Sequence, residues 1–125
     1  MKKILLLLFL SVNIFAAEII EYDCTFSKFN DKENFNKSTK DFDLKFTFDK
    51  TNKEAFFVGK NGINEVLPIE GYMGITFLEI LPTGAVQSTT VENKGDAVHS
   101  RNSILFNSII PSQYFGKCAI NKKWD

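Results

Sequence analysis

The residues best suited to chemistry in this chain are its single histidine and its single arginine. They lie two positions apart, in the segment Val98-His99-Ser100-Arg101, and all other Lys+Arg residues are lysines. On an extended strand, residues two apart project from the same face. A guanidinium is a rigid planar fork of donors that suits a carboxylate or a phosphate. We therefore predict a binding site at this pair.

The preceding segment supplies hydroxyl and amide groups for the same site. The turn sequence Asn93-Lys94-Gly95-Asp96 indicates a hairpin, and counting back from it places Gln87 and Thr89 on alternate strand positions. We predict that Gln87 and Thr89 join His99 and Arg101 in a polar patch that binds an anion or a partner protein. The alternative is a solvated strand face without a ligand.

In that solvated alternative, Arg101 pairs with Glu92 or Glu79. A catalytic role is weaker than either interpretation. A hydrolytic triad would have to combine Ser100 or Ser103 with His99 and Asp96, but residues this close on one extended strand do not reach triad geometry. The chain has neither a nucleophile elbow nor a glycine-rich phosphate loop. We predict a protein that is not an enzyme.

Two cysteines, Cys24 and Cys118, lie near the two ends of the chain. In an oxidising compartment they most simply pair with each other, although two free buried thiols are the alternative. Two cysteines and one histidine fall short of the four ligands of a structural zinc site. We expect the disulfide, and neither a metal nor a cofactor.

The first seventeen residues have the pattern of an export signal. Lys2 and Lys3 precede an apolar stretch from 4 to 15, and Ala16 and Ala17 supply small residues for cleavage. We predict a signal peptide over 1–17, a single domain over 18–125, and a periplasmic or secreted location; an uncleaved anchor is the alternative. The apolar stretch is too short to span a bilayer, so we expect no membrane insertion after cleavage.

The charge balance excludes one class of partner. The chain has 15 Lys+Arg against 15 Asp+Glu, and removing Lys2 and Lys3 leaves 13 against 15, a mature charge of −2. Nucleic-acid binding depends on clustered positive charge, so we expect no nucleic-acid partner. Between Asn61 and Asn93 every charged residue is acidic, which is compatible with one acidic side that attracts a basic partner, although a merely solvated surface is the preferred interpretation. These residues are Glu65, Glu70, Glu79 and Glu92.

Alternation of apolar and polar residues with a period of two runs through most of the mature chain and predicts strands. It is clearest around Phe42, Leu44, Phe46 and Phe48. The predicted strands are Ile20–Phe26, Asp41–Phe48, Glu54–Lys60, Ile63–Ile69, Ile75–Leu81, Ala85–Glu92, Ala97–Phe106 and Ser112–Ile120. About eight antiparallel strands joined by short turns favour an all-β meander, closed as a small barrel or folded as a sandwich. Pairing of the first and last strands would bring the cysteines together.

Several local details accompany this strand pattern. The polar segment from Lys28 to Lys40 predicts a long exposed loop, with Phe29 and Phe35 folded back onto the core. Asn61-Gly62 predicts a hairpin turn, since both positions of such a turn need positive φ. Pro68 indicates an edge or a bulge.

Other details concern how two strands are covered. The segment from Ile75 to Leu81 is apolar on both faces, which predicts a well-covered strand. Near the end of the chain, Tyr114, Gly116 and Cys118 share one face, and Gly116 leaves room beside the disulfide for an aromatic ring.

The C-terminal half resembles a group of small, uncharacterised exported bacterial proteins. The resemblance rests on Thr89-Thr90, on His99-Ser100-Arg101 and on the segment Ser112-Gln113-Tyr114-Phe115-Gly116-Lys117-Cys118, and it covers roughly residues 75–118. It implies no known activity. Tyr22-Asp23-Cys24 together with Cys118 also resembles the framework of the inhibitors of c-type lysozyme, which implies an eight-stranded barrel and a bridge between the two cysteines.

These observations lead to three functional hypotheses. The first is an exported binding or interaction module that acts on an unknown envelope protein or small ligand through the face around His99 and Arg101. The second is a periplasmic inhibitor of c-type lysozyme. The third is a lipocalin-like carrier of a small apolar ligand, suggested by the abundance of phenylalanine.

Overall fold

The computed structural model describes residues 17–124, and within them the chain is entirely β-structure and turns. The first sixteen residues of the predicted signal peptide lie outside this range. The strands are β1 Glu18–Asn30, β2 Lys37–Asp49, β3 Glu54–Gly59, β4 Gly62–Glu70, β5 Gly74–Ile80, β6 Val86–Glu92, β7 Asp96–Leu105 and β8 Ser108–Trp124. All neighbours are antiparallel, and the order β1 to β8 closes into a barrel. The all-β prediction is confirmed, and the barrel is the correct choice over the sandwich.

The barrel closes where β1 pairs with β8, and a disulfide crosses that seam. Cys24 and Cys118 are direct partners in the register of the two strands and are bonded to each other, although they lie 94 positions apart. The predicted disulfide is confirmed, and there is no free cysteine in residues 17–124. Because closure pairs both terminal strands, it removes the open sheet edges that promote aggregation.

The barrel interior is filled by aromatic side chains on alternate strand positions. The Phe46 and Phe77 rings stack with centroids 4.4 Å apart, and Tyr22 meets the Phe77 ring edge-on at 5.2 Å. Phe26 and Phe48 are completely buried. Such offset and edge-to-face contacts add to the free energy of burying the rings themselves. We call the contacting rings of Tyr22, Phe46 and Phe77 the aromatic layer, and it divides the barrel interior into two ends.

Gly116 lies at the tightest point of the β1–β8 seam. A Cβ atom at this position would overlap the carbonyl oxygen of Thr25 and would lie 2.7 Å from the Cα of Phe26. Tyr114 and Cys118 share the interior side of β8 with Gly116, as predicted. The expectation that Gly116 makes room for a ring is wrong, because the space is taken by the β1 backbone.

The predicted loop from Lys28 to Lys40 is much shorter in the structure. β1 continues to Asn30 and β2 begins at Lys37, so that only residues 31–36 form the turn. The expectation for the two phenylalanines is half correct. Phe29 stacks on Tyr114 with centroids 5.9 Å apart, whereas Phe35 is exposed.

The structure tests two predictions on the middle strands. The hairpin at Asn61-Gly62 exists, but Gly59 pairs with Gly62, so the turn residues are Lys60 and Asn61, and only Gly62 has positive φ. Pro68 pairs with Phe77 of β5 but has no partner on β3, because the pairing of β3 with β4 ends at Val66. It therefore lies on a locally open edge of β4, as predicted.

The last two strands are joined by a turn that the sequence pattern did not reveal. Leu105 pairs with Ser108, so the turn residues are Phe106 and Asn107, with φ of 50° and 62°. The sequence pattern predicts a strand through Phe106 and the start of the next strand at Ser112, and both bounds are wrong. A separate expectation, that β5 is covered on both faces, fails at the end of that strand, where Ile80 is exposed.

Candidate functional site

The four residues predicted to form a binding patch are brought together by the pairing of β6 with β7. Gln87 lies opposite Arg101 and Thr89 lies opposite His99, on directly paired positions. All four side chains line a cavity in the barrel interior. The alternative of a solvated strand face is therefore wrong, because His99 is 4% exposed and Thr89 is 1% exposed.

His99 is held in the barrel by one hydrogen bond and by aromatic neighbours. Its Nδ1 lies 2.7 Å from Oγ1 of Thr89. Ring centroids of Phe26, Phe42 and Tyr114 lie 5.9, 6.2 and 6.3 Å from the imidazole. Burial, aided by the nearby Arg101 charge, lowers the pKa of His99 from 6.5 to about 4. The imidazole is neutral at physiological pH, so Arg101 is the cationic group of this pair.

Arg101 is positioned by hydroxyl groups of β8 rather than by a carboxylate. Its Nη2 donates to the Tyr114 hydroxyl at 2.9 Å, and its Nε donates to Oγ of Ser112 at 3.4 Å. The guanidinium carbon lies 4.9 Å from the centroid of the Tyr114 ring, within the range of a cation–π contact. Among the described ion pairs none includes Arg101, so the pairing with Glu92 or Glu79 expected in the alternative is not formed.

The cavity that these residues line is called here the upper cavity, and it has a volume of about 330 Å³. It lies on the side of the aromatic layer toward the turns that join β1 to β2, β3 to β4, β5 to β6 and β7 to β8, which we term the upper end. It is lined by Phe42, Leu44, Phe46, Phe57, Val66, Phe77, Glu79, Gln87, Thr89, His99 and Arg101. The polar residues all lie on β5, β6 and β7, so the cavity has one polar wall and one apolar wall.

The polar wall is ordered by the register of the sheet. Glu79, Gln87, Arg101 and Ser112 form one row across four adjacent strands, since each is the direct partner of the next. Strands are spaced about 4.8 Å apart, so Glu79 and Arg101 are separated by roughly 10 Å. The Glu79 carboxylate and the Arg101 guanidinium therefore stand two strands apart in this row, with the Gln87 amide between them.

Sequence reasoning missed three members of this site, namely Glu79, Ser112 and Tyr114. The sequence pattern places Tyr114 on the face of Cys118 and Glu79 in an acidic stretch, and neither position indicates a ligand site. The usable signal was the turn at Phe106 and Asn107, because counting outward from it pairs Arg101 with Ser112 and His99 with Tyr114.

A second concavity of about 700 Å³ occupies the opposite, lower end of the barrel. Tyr22, Ile75 and Val91 form its apolar floor, and Glu70 and Lys122 are among the charged groups around it. Burial raises the pKa of the Tyr22 hydroxyl, with a smaller contribution from the Glu70 charge. A hydrogen bond from Lys53 lowers the pKa of the Glu70 carboxyl. Because Lys50 and Lys53 both contact Glu70, the negative charge of that carboxylate is already balanced by two lysines.

The residues considered for a hydrolytic triad are separated by the strand alternation. His99 faces the interior, whereas the Oγ of Ser100 accepts a bond from Gln113 Nε2 at 3.3 Å on the exposed side. Asp96 is also on the exposed side, where it lies 3.7 Å from Lys117. Within residues 17–124, no group of three or more His, Cys, Asp or Glu residues is placed to hold a metal ion.

The acidic side that the middle of the sequence would allow does not form. Glu79 faces the upper cavity, Glu70 is paired with lysines at the lower end, and Glu65 is exposed on β4. Glu92 accepts bonds from the backbone N–H groups of Lys94 and Asp96 at a turn. Glu70 and Glu92 both line the lower concavity, but Glu65 and Glu79 lie elsewhere, so the four carboxylates do not form one acidic side.

Comparisons of the chain with protein-family models, with curated proteins and with solved structures find no match in any of the three. In the part of the chain that the structure describes, no helix is long and apolar enough to cross a bilayer. The disulfide between Cys24 and Cys118 is compatible with an oxidising, exported location.

Proposed function

We propose that this protein is an exported, non-enzymatic binding module that holds a small amphipathic carboxylate in the upper cavity. The observation that carries the proposal is the position of Arg101 at a cavity whose opposite wall is aromatic. The cavity volume of about 330 Å³ is within the range of known ligand pockets, roughly 300–1,000 Å³. The first and third hypotheses from the sequence thereby converge on one site.

The chemistry of the wall supports a carboxylate in particular. Arg101 uses one Nη2 donor and its Nε donor within the barrel, and a guanidinium has five N–H donors in total. The remaining donors suit a planar carboxylate head group. His99 is neutral and Gln87 is an amide, so neither repels an anion. The Glu79 carboxylate on the same wall would repel one, but it lies two strands away from Arg101, at roughly 10 Å. Phe42, Phe57 and Val66 across the cavity would contact the apolar body of the ligand.

Titration calorimetry with three probes of equal chain length tests the proposal. We expect decanoate to bind more tightly than decanol, and decylamine to bind weakest. Arg101→Gln should weaken decanoate about tenfold or more, because a hydrogen bond to a charged group contributes roughly 1.5–3 kcal/mol. Lys117→Gln is the matched control, since Lys117 is exposed on the outside of β8 and should not affect binding. Preference for decylamine, or equal binding by the Arg101 variant, contradicts the proposal.

Inhibition of c-type lysozyme is a second candidate, favoured by one observation. The chain forms an eight-stranded barrel whose first and last strands are joined by a disulfide, which is the architecture that the resemblance implies. A cell-wall lysis assay with micromolar protein tests it. Inhibition that survives Arg101→Gln would separate this activity from the upper cavity, and unchanged lysis would remove the candidate.

A further inference from the structure

A hairpin that extends beyond the barrel is the feature that the proposed binding site leaves unexplained. Arg101 is the last residue of β7 with a β6 partner, and Gln113 is the first residue of β8 with a β1 partner. Beyond these two residues, the strand residues of 102–111 pair only with one another. We call residues 102–111 the projecting hairpin. Its four residue pairs extend on the order of 13 Å past the barrel wall at the upper end.

The projecting hairpin exposes apolar side chains on both of its faces. Ile104 is paired with Ile109, and both point to the outer face, whereas Leu105 and Ile110 point to the opposite face. All four are exposed, and Phe106 at the tip is 97% exposed. A protein groove that accepts a hairpin generally covers one face and leaves the other in water. A hairpin that is apolar on both faces suits an apolar medium that surrounds it.

The tip residue is in a backbone conformation that its side chain does not favour. Phe106 has φ of 50°, and Asn107 has φ of 62°, as in the two-residue turns that prefer Asn and Gly. Asparagine tolerates this region well, but a bulky residue there is an outlier. Phe106 therefore contributes neither buried area nor favourable turn geometry to the fold. Its presence at this position indicates a contact made outside the folded chain.

The charge distribution around the projecting hairpin matches an anionic surface. From 102 to 116 the sequence has no Asp, Glu, Lys or Arg. The neighbouring β1–β2 turn carries Lys32, and Lys37 and Lys40 follow on β2; all three are exposed and none takes part in a described ion pair.

The acidic residues of the same region offset these lysines only in part. They are Asp31 and Glu33 in the β1–β2 turn, together with Glu79 on the wall of the upper cavity. The Asp31 carboxylate accepts hydrogen bonds from the backbone N–H groups of Glu33 and Asn34, so it is directed into its own turn. An uncharged apolar wedge flanked by unpaired lysines is the pattern of a segment that enters the headgroup region of an anionic bilayer.

We infer that the projecting hairpin docks the barrel on an anionic phospholipid surface, with Phe106 entering the boundary between headgroups and acyl chains. Proteins of this kind bury an apolar face by about 5–10 Å, which the length of the hairpin allows. Docking leaves the barrel outside the bilayer, and the upper cavity then lies on the membrane side. The inference goes beyond the proposed function and does not depend on it, because vesicle binding and carboxylate binding are measured separately.

Vesicle co-sedimentation of the full mature chain tests the inference. The probes are vesicles of phosphatidylcholine alone and of phosphatidylcholine mixed with phosphatidylglycerol. We expect the wild type to sediment with the mixed vesicles and to be released by added salt, because screening weakens the contribution of the lysines. Phe106→Gly should weaken binding about tenfold or more, as expected for loss of one buried ring.

The same variant separates docking from folding. Glycine adopts positive φ without a steric penalty, so Phe106→Gly should raise the melting temperature while vesicle binding falls. Tyr72→Ser is the control, because Tyr72 is 92% exposed at the lower end and should be irrelevant to docking. The inference is overturned if the wild type stays in the supernatant or if Phe106→Gly sediments like the wild type. A wild-type dimer that Phe106→Gly converts to a monomer, without vesicle binding, would instead assign the hairpin to a second copy of this chain.

Discussion

Thr89 and His99 form a buried hydrogen bond across the β6–β7 pair, with Oγ1 and Nδ1 only 2.7 Å apart. Among the described residues, Thr89 and His99 are the only polar or charged residues that are buried. No buried side-chain nitrogen or oxygen in that range is without a partner. The bond thus allows a polar residue to occupy the interior beside the upper cavity without the cost of an unpaired group.

Replacing Thr89 by valine should reveal the strength of this bond. Thr89→Val keeps the shape of the side chain but leaves Nδ1 of His99 buried without its partner. We expect a loss of about 1–3 kcal/mol in the free energy of unfolding, measured by urea denaturation. Thr90→Val is the control, since the Thr90 hydroxyl meets only that of Thr76 on the exposed side, at 2.8 Å. Equal losses in the two variants would show that the buried bond is no stronger than the exposed one.

Stability should depend on pH through the same histidine. The pKa of His99 is about 4 in the folded chain against 6.5 for an ordinary histidine. Between these values the unfolded chain binds a proton that the folded chain does not. Stability is therefore complete above pH 6.5 and falls as the pH drops toward 4, by a total on the order of 3 kcal/mol.

His99→Gln removes this titration and provides the comparison. The difference in unfolding free energy between wild type and variant should change between pH 6.5 and 4 and stay constant outside that window. Hydrogen-bonded or ion-paired carboxylates such as Asp31, Asp49 and Glu70, whose pKa values are lowered, contribute at more acidic pH. Parallel pH profiles for the two proteins would rule out a buried neutral imidazole.

The strand pattern could be predicted because a barrel wall has one wet face and one dry face. Ile20, Tyr22, Cys24 and Phe26 alternate with polar residues for that reason, and all four are buried. The grouping of Gln87, Thr89, His99 and Arg101 followed from the turn before β7, since a short hairpin sets the register of its two strands. Local residue types were sufficient for these predictions.

The local sequence pattern could not predict that these four side chains face the barrel interior. A strand with the pattern His-x-Arg is expected to have a polar, solvated face. In the closed barrel, however, His99 faces inward and has aromatic neighbours from β1 and β2. The turn at Phe106 and Asn107 was missed because a phenylalanine is not a turn residue. Without that turn the partners of Arg101 on β8 could not be counted, so Tyr114 could not be placed beside Arg101.

Gly116→Ala should test the barrel seam with a single methyl group. The added Cβ would overlap the Thr25 carbonyl oxygen, and the backbone of β1 cannot yield as a flexible side chain would. We expect the pairing of β1 with β8 to separate locally around the disulfide, with a loss of about 3 kcal/mol or more in the free energy of unfolding. Gly71→Ala is the matched control, because its Cβ would lie 3.6 Å from the nearest atom, the Gly74 carbonyl oxygen, which is an ordinary contact. Thermal unfolding followed by circular dichroism compares the two variants with the wild type, and hydrogen exchange at the β1 and β8 amides locates the change. If Gly116→Ala melts at the wild-type temperature with its seam amides still protected, the two strands are not as closely apposed as the register of Phe26 with Gly116 requires.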